Sequence, residues 1–146
     1  MSGTDSEQHF YISVDDRFGV QEYLQKANRL NDGEKISAIE IAGNGNMNVV
    51  LRIRTNFRSL ILKQSRPWVQ KFPSVKAPKE RIEVEANFYE IIKRNQVWKK
   101  KTPEIFWFDE ENLILCMEDV GPSADFTSIY KKGTALSKAD IAEITR

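Results

Sequence analysis

The sequence predicts an α+β fold: a five-stranded antiparallel sheet, preceded by one helix, with a second helix inserted after the third strand. Three observations lead there. Helical and alternating periodicities follow one another in the order α, β-β-β, α, β-β, and the connections within each group of strands are too short for parallel crossovers. The chain also has the size of one ordinary domain, 146 residues of which 40% are hydrophobic and 10% aromatic, enough to build a single core.

Residues 1–18 read as a loosely held, polar tail, and the domain is expected over 19–121. From 19 to 30, Val20, Tyr23, Leu24, Ala27 and Leu30 fall at helical spacing, and the cluster Asn31, Asp32, Gly33 is the expected stop. Strands follow at 36–42, 48–54 and 59–64; in the second, Val49, Leu51 and Ile53 share one face and Val50, Arg52 and Arg54 the other. Residues 65–78 read as a basic loop punctuated by prolines. A helix is predicted over 79–94, then a loop carrying Lys99, Lys100 and Lys101, then a hairpin of strands 104–108 and 112–117 around the acidic turn 109–111. Residues 122–146 read as a linker and the start of one more helix, with Ser137 and Asp140 spaced as a capping box. That helix reaches Arg146 without a stop signal, so the chain is expected to continue in the intact gene product.

Composition narrows the classes of function. With 22 Lys and Arg against 21 Asp and Glu the formal net charge is +1, which offers no global attraction for nucleic acid or a membrane surface. Cys116 is the single cysteine, so neither an intramolecular disulfide nor a cysteine-rich zinc site is possible. His9 stands alone in the polar tail, with no ligand set around it. The N-terminus has no basic flank followed by an apolar run, and no stretch approaches the roughly 18 apolar residues needed to span a bilayer. A cytoplasmic protein is expected.

Four features could carry chemistry. Gly43, Asn44, Gly45, Asn46, Met47 and Asn48 lie between two strands. Glycine and asparagine accept positive φ and let backbone amides approach a phosphate, but the same residues also make an ordinary hairpin turn. Lys63 stands in the apolar strand SLILKQ on the face of Ser59 and Ile61, where it needs an anion or carboxylate unless it reaches an edge. On the inserted helix, Ile82, Ala86, Phe88, Tyr89 and Ile92 form one stripe, and Glu85 falls inside it while Glu83 and Glu90 lie opposite. Glu85 therefore wants a cation, and Lys63 is the obvious one, unless Glu85 sits at the rim of the stripe and reaches solvent. Finally, Met117, Glu118, Asp119 and Val120 end an apolar strand abruptly, where free backbone groups could meet a purine edge or simply enter a loop.

The order of these features is that of a kinase N-lobe: a glycine-containing loop, a third-strand lysine, a helix glutamate and a strand leading to a linker. In the segments EIAGNGNMNVVLRI, SLILKQSRPWV, RIEVEANFYEI and LILCMEDV, over about residues 20–122, the chain resembles the N-terminal lobe of the aminoglycoside phosphotransferase and choline kinase superfamily, most nearly methylthioribose kinases. The resemblance implies that residues 43–48 line the triphosphate of ATP, Lys63 contacts phosphate oxygens and Glu85 pairs with Lys63. It further implies that backbone atoms of Met117, Glu118, Asp119 and Val120 hold adenine. Asn44 stands where methylthioribose kinases tend to have an aspartate. No His-x-Asp occurs in the chain, so the catalytic aspartate and the ligands of Mg²⁺ are expected from a C-lobe outside these residues. The parent would transfer the γ-phosphoryl group of ATP to a hydroxyl of a sugar derivative, an aminoglycoside-like molecule or an amino alcohol. The other readings are a kinase-like binding or regulatory module without catalysis, and a nucleic-acid binder using Arg66, Lys71, Lys76, Lys79 and the 99–101 run.

Overall fold

Alternation along residues 49–55 divides the chain into two sides, and the sheet is built on that division. In a computed structural model that describes residues 9–43, 45–122 and 137–144, five strands pair antiparallel throughout. They are β1 (Ile36–Ile41), β2 (Val49–Thr55), β3 (Ser59–Gln64), β6 (Ile105–Asp109) and β7 (Ile114–Glu118), in the order β1-β2-β3-β7-β6. The helix α2 (Arg81–Ile92) is inserted after β3, as the periodicity predicts.

The back face of the sheet carries Val49, Leu51, Ile53, Leu60, Leu62, Ile114 and Cys116, packed against Val20 and Leu24 of α1 (Arg17–Lys26) and against Ile12. Leu62 is fully buried, a contribution of about 1.5–3 kcal/mol for a side chain of that size. Burial also pushes the Cys116 thiol up to about 12, which makes it an inert packing group. The front face carries Ile61, Leu113, Leu115 and Met117, covered by Ile82 and Ala86 of α2.

Four expectations change. The first helix runs over Arg17–Lys26, not 19–30. Asp16 caps its start by accepting from the Gly19 amide at 2.9 Å. At its other end Asn28 takes a left-handed φ of 53°, with its amide on Gln25 O and the Arg29 amide on Leu24 O. This Schellman closure ends the helix before Leu30. The expected loose tail is replaced, from residue 9 on, by a segment built into the back face: Ile12 is fully buried and its amide donates to Gln64 Oε1 at 2.9 Å. Gln64 Nε2 donates to Phe10 O at 2.7 Å and to Asn112 O at 2.8 Å, so one buried side chain ties three segments together. Within 65–78, read as a loop, two short strands pair as a separate hairpin, β4 (Trp68–Val69) and β5 (Phe72–Lys76). Its β5 residues are all exposed, so no hydrophobic period marks it in the sequence. Lastly, the predicted apolar stripe of α2 is only partly covered. Ile82 and Ala86 are buried and Tyr89 packs beside them, but Phe88 is 55% exposed, on the flank of α2 that also carries the exposed Val84 and Ile91.

The loop around 99–101 opens with a single helical turn, α3 (Gln96–Lys99), capped by Asn95. Past the sheet, α4 (Lys138–Ile144) begins just after Ser137, whose carbonyl accepts from Ile141 N. Residues 123–136 and the Asp140 side chain of the expected capping box lie outside the described residues. Among the described residues no helix is long and apolar enough to cross a membrane.

Candidate functional site

The register lays out two rows of side chains across the front face. Glu40, Arg52, Ile61, Met117 and Ile105 form one row; Val50, Lys63, Leu115 and Phe108 form the next, toward the 42–48 loop. Lys63 is thus a central-strand lysine, flanked by Val50 on β2 and Leu115 on β7. Its Nζ donates to Glu85 Oε1 at 2.6 Å, and both side chains keep about a quarter of their surface. The pair expected from the helix wheel is formed, with the charges neither stranded in the core nor fully in water. Tyr89, one turn further along α2, has its phenol pushed up by burial and then by the Glu85 charge.

The loop between β1 and β2 is held from below. The Lys71 amide, in the turn of the β4 and β5 hairpin, donates to Asn46 O at 3.1 Å. Arg81, the first residue of α2, donates from NH2 to Met47 O at 2.6 Å and from Nε to Asn48 Oδ1 at 2.8 Å. Gly43 is not in the left-handed region, so the expectation of positive φ fails there. A Cβ added at Gly43 or Gly45 would meet nothing within 4 Å among the described residues, so packing against those residues does not demand glycine there. Asn44 lies outside the described residues. Behind the loop, a cavity of about 370 Å³ is lined by Gly43, Gly45, Asn48, Asp15, Arg66 and Lys71 among others.

At the other end of the sheet, Met117 and Glu118 belong to β7, between β3 and β6. The Glu118 amide is spent on Glu104 O at 2.8 Å, and the Glu104 amide donates back to Glu118 Oε2. The backbone beyond the strand end is therefore that of Asp119 and Val120. The Asp119 side chain is committed inside the molecule: it accepts from Arg52 Nε at 2.8 Å and NH2 at 3.0 Å, from Ser59 Oγ at 2.5 Å and from the Gly121 amide at 3.0 Å. The Arg52 bonds hold its carboxyl at about 2, against the opposing effect of burial. Gly121, at φ 88°, supplies the left-handed turn that bends the chain back to Asp119.

The structure thus brings Lys63 and Glu85 into contact. It sets the 43–48 loop and the 117–120 strand end at opposite ends of one sheet face. Sequence reasoning gave no role to Arg52, Ser59, Gly121 or Arg81. Two signals could have found them: Arg52 alternates onto the face of Lys63, and Arg81 stands one helical turn before Glu85. No protein-family model matches the chain, and none of the curated proteins matches it either.

Proposed function

We propose that this chain is the nucleotide-binding lobe of an ATP-dependent kinase that phosphorylates a hydroxyl of a small polar molecule. One observation carries it: Lys63 of the third strand bonded to Glu85 of the inserted helix, on the face that also presents the loop and the strand end. In kinases a strand lysine held by a helix glutamate engages the phosphates, and its function needs that pairing. The distances agree. Strand β3 spans about 20 Å at roughly 3.3 Å per residue, the reach of a nucleoside triphosphate laid from strand end to loop. The half-buried Val50 would give an adenine ring an apolar contact, and the backbone of Asp119 and Val120 would meet its edge. Lys63 would hold phosphate oxygens, and the open space above Gly43 and Gly45 leaves room for them.

Bound ATP supplies the phosphoryl group and Mg²⁺ neutralises its charge. What this chain's residues do is bind and orient. On this reading the groups that bind the hydroxyl acceptor, the catalytic base and the metal ligands would come from a second lobe. The test uses the full-length native gene product: Mg²⁺-dependent ATP binding and phosphoryl transfer to a panel of sugars and amino alcohols. Lys63→Met should cut turnover by about 10²-fold or more while leaving the unfolding transition nearly unchanged. Full activity in that variant would overturn the assignment. ATP binding without transfer to any acceptor would favour a regulatory module built on the same lobe.

A further inference from the structure

We propose that Arg81 gives residues 45–48 their net positive charge, making them and the head of α2 one preorganised cradle for a polyphosphate chain. This deepens the kinase reading and rests on it. The charge accounting starts from Lys63 and Glu85, which cancel one another. A site meant for several phosphate charges needs a cation from elsewhere.

Arg81 is such a cation. Its guanidinium donates to Asn48 Oδ1, Met47 O, Arg66 O, Pro78 O and, at 3.5 Å, Trp68 O. Every acceptor is neutral, and none of the ion pairs among the described residues includes Arg81. The fork is fully satisfied in hydrogen bonds and uncompensated in charge. Arg66, behind the loop, is likewise in none of those ion pairs. It donates to Gln70 Oε1 at 3.0 Å and Ile12 O at 2.6 Å beside the rings of Tyr11 and Trp68, while its buried Nε has no partner. Among the described residues lining that cavity, Asp15 is the one acid.

The bonds also shape what an anion would meet. An anion cradle needs amide N–H groups outward and carbonyl oxygens turned away. The carbonyls of Asn46 and Met47 are both taken from below, by the Lys71 amide and Arg81. Because Arg81 and Glu85 stand one turn apart on α2, the same helix fixes the loop and the lysine partner. Arg81 is thus a positioning residue whose charge acts across the loop rather than by contact.

Asn48→Asp is the decisive variant. It keeps an oxygen acceptor for Arg81 Nε while placing a compensating carboxylate beside it. In the full-length native product at fixed Mg²⁺, affinities for adenosine, ADP, ATP and inorganic tripolyphosphate would be measured by calorimetry, with thermal unfolding in parallel. The expected result is a melting temperature equal to or above wild type. ATP and tripolyphosphate should weaken by about tenfold, ADP by less, and adenosine by less than twofold. Arg81→Gln should follow the same phosphate-dependent order, and Arg81→Lys should recover part of the loss.

Equal losses for adenosine and ATP, or no loss in Asn48→Asp, would overturn the proposal while leaving the kinase reading standing. Binding of tripolyphosphate that depends on Arg81, without any preference for ATP over it, would keep the cradle and remove the kinase. Wild-type protein that binds neither would remove both, as would preference for a single-stranded oligonucleotide over tripolyphosphate.

Discussion

The two ends of the sheet treat their arginines differently. At the end where β2 turns into β3 and the chain leaves β7, each of three arginines meets a carboxylate: Arg52 with Asp119, Arg54 with Glu40, and Arg58 with Glu34. Glu34 is itself buried; burial pushes its carboxyl up, but hydrogen bonds from Arg58, the Asn31 amide and Thr55 outweigh that and leave it below the ordinary range. At the loop end, Arg66 and Arg81 meet only neutral oxygens, and burial lowers both below the usual guanidinium range. One end is closed electrostatically and the other is open. Paired charges hold a chain in place; unpaired but hydrogen-bonded ones hold a field. The difference is one between an end held by ion pairs and an end that keeps its guanidinium charges.

The contrast can be broken first at Asp119. Asp119→Ala strips Arg52, the Ser59 hydroxyl and the Gly121 amide of an acceptor. It should lower stability by about 2 kcal/mol in urea unfolding, less than a deeply buried pair would lose because water reaches part of Arg52. A loss below about 0.5 kcal/mol would mean that the exit end is not held by this group.

Acid sharpens the comparison next. The Asp119 carboxyl lies at about 2 in the folded chain against 3.8 ordinarily, so its contribution is complete above about pH 4 and is lost as pH falls toward 2. Asp119→Asn should therefore show a shallower fall in urea midpoint over that window than wild type. Parallel curves would locate the acid sensitivity in other carboxylates.

The smallest effect is expected at the loop end. Arg66→Met leaves no carboxylate unpaired and removes a buried Nε that has no partner. Against that stand two lost hydrogen bonds and the stacking on Tyr11 and Trp68. Stability should stay within about 1 kcal/mol of wild type. A larger fall than in Asp119→Ala would reverse the contrast between the two ends.

Much of the fold was legible in residues 36–64 and 104–117, where apolar side chains alternate in 49–53 and run continuously in 60–62 and 113–117, and short turns allow only antiparallel neighbours. The meeting of Lys63 and Glu85 was legible too, because a lysine inside an apolar strand and a glutamate inside an apolar helix stripe each need a partner. Three features were not. The β4 and β5 hairpin has no buried face to impose a period. Residues 10–12, Phe-Tyr-Ile, are an apolar run inside an otherwise polar tail, and what fixes them is Gln64, a side chain more than fifty positions away. The exposure of Phe88 depends on which flank of the apolar stripe the sheet meets, a choice that the helix's own periodicity does not make.

By itself, then, the sequence determined the element order, the two faces of each strand and the pairs of charges that local patterning had to bring inward, because these follow from periods of 2 and 3.6 and from the cost of burying a lone ion. Only the tertiary structure decided which acceptors each arginine finds. A guanidinium carries five donors on a long side chain, and its partners here are backbone carbonyls and side chains from segments remote in sequence. Whether such a charge is cancelled, as in Arg52, or kept, as in Arg81, is a property of the folded neighbourhood and not of the residue.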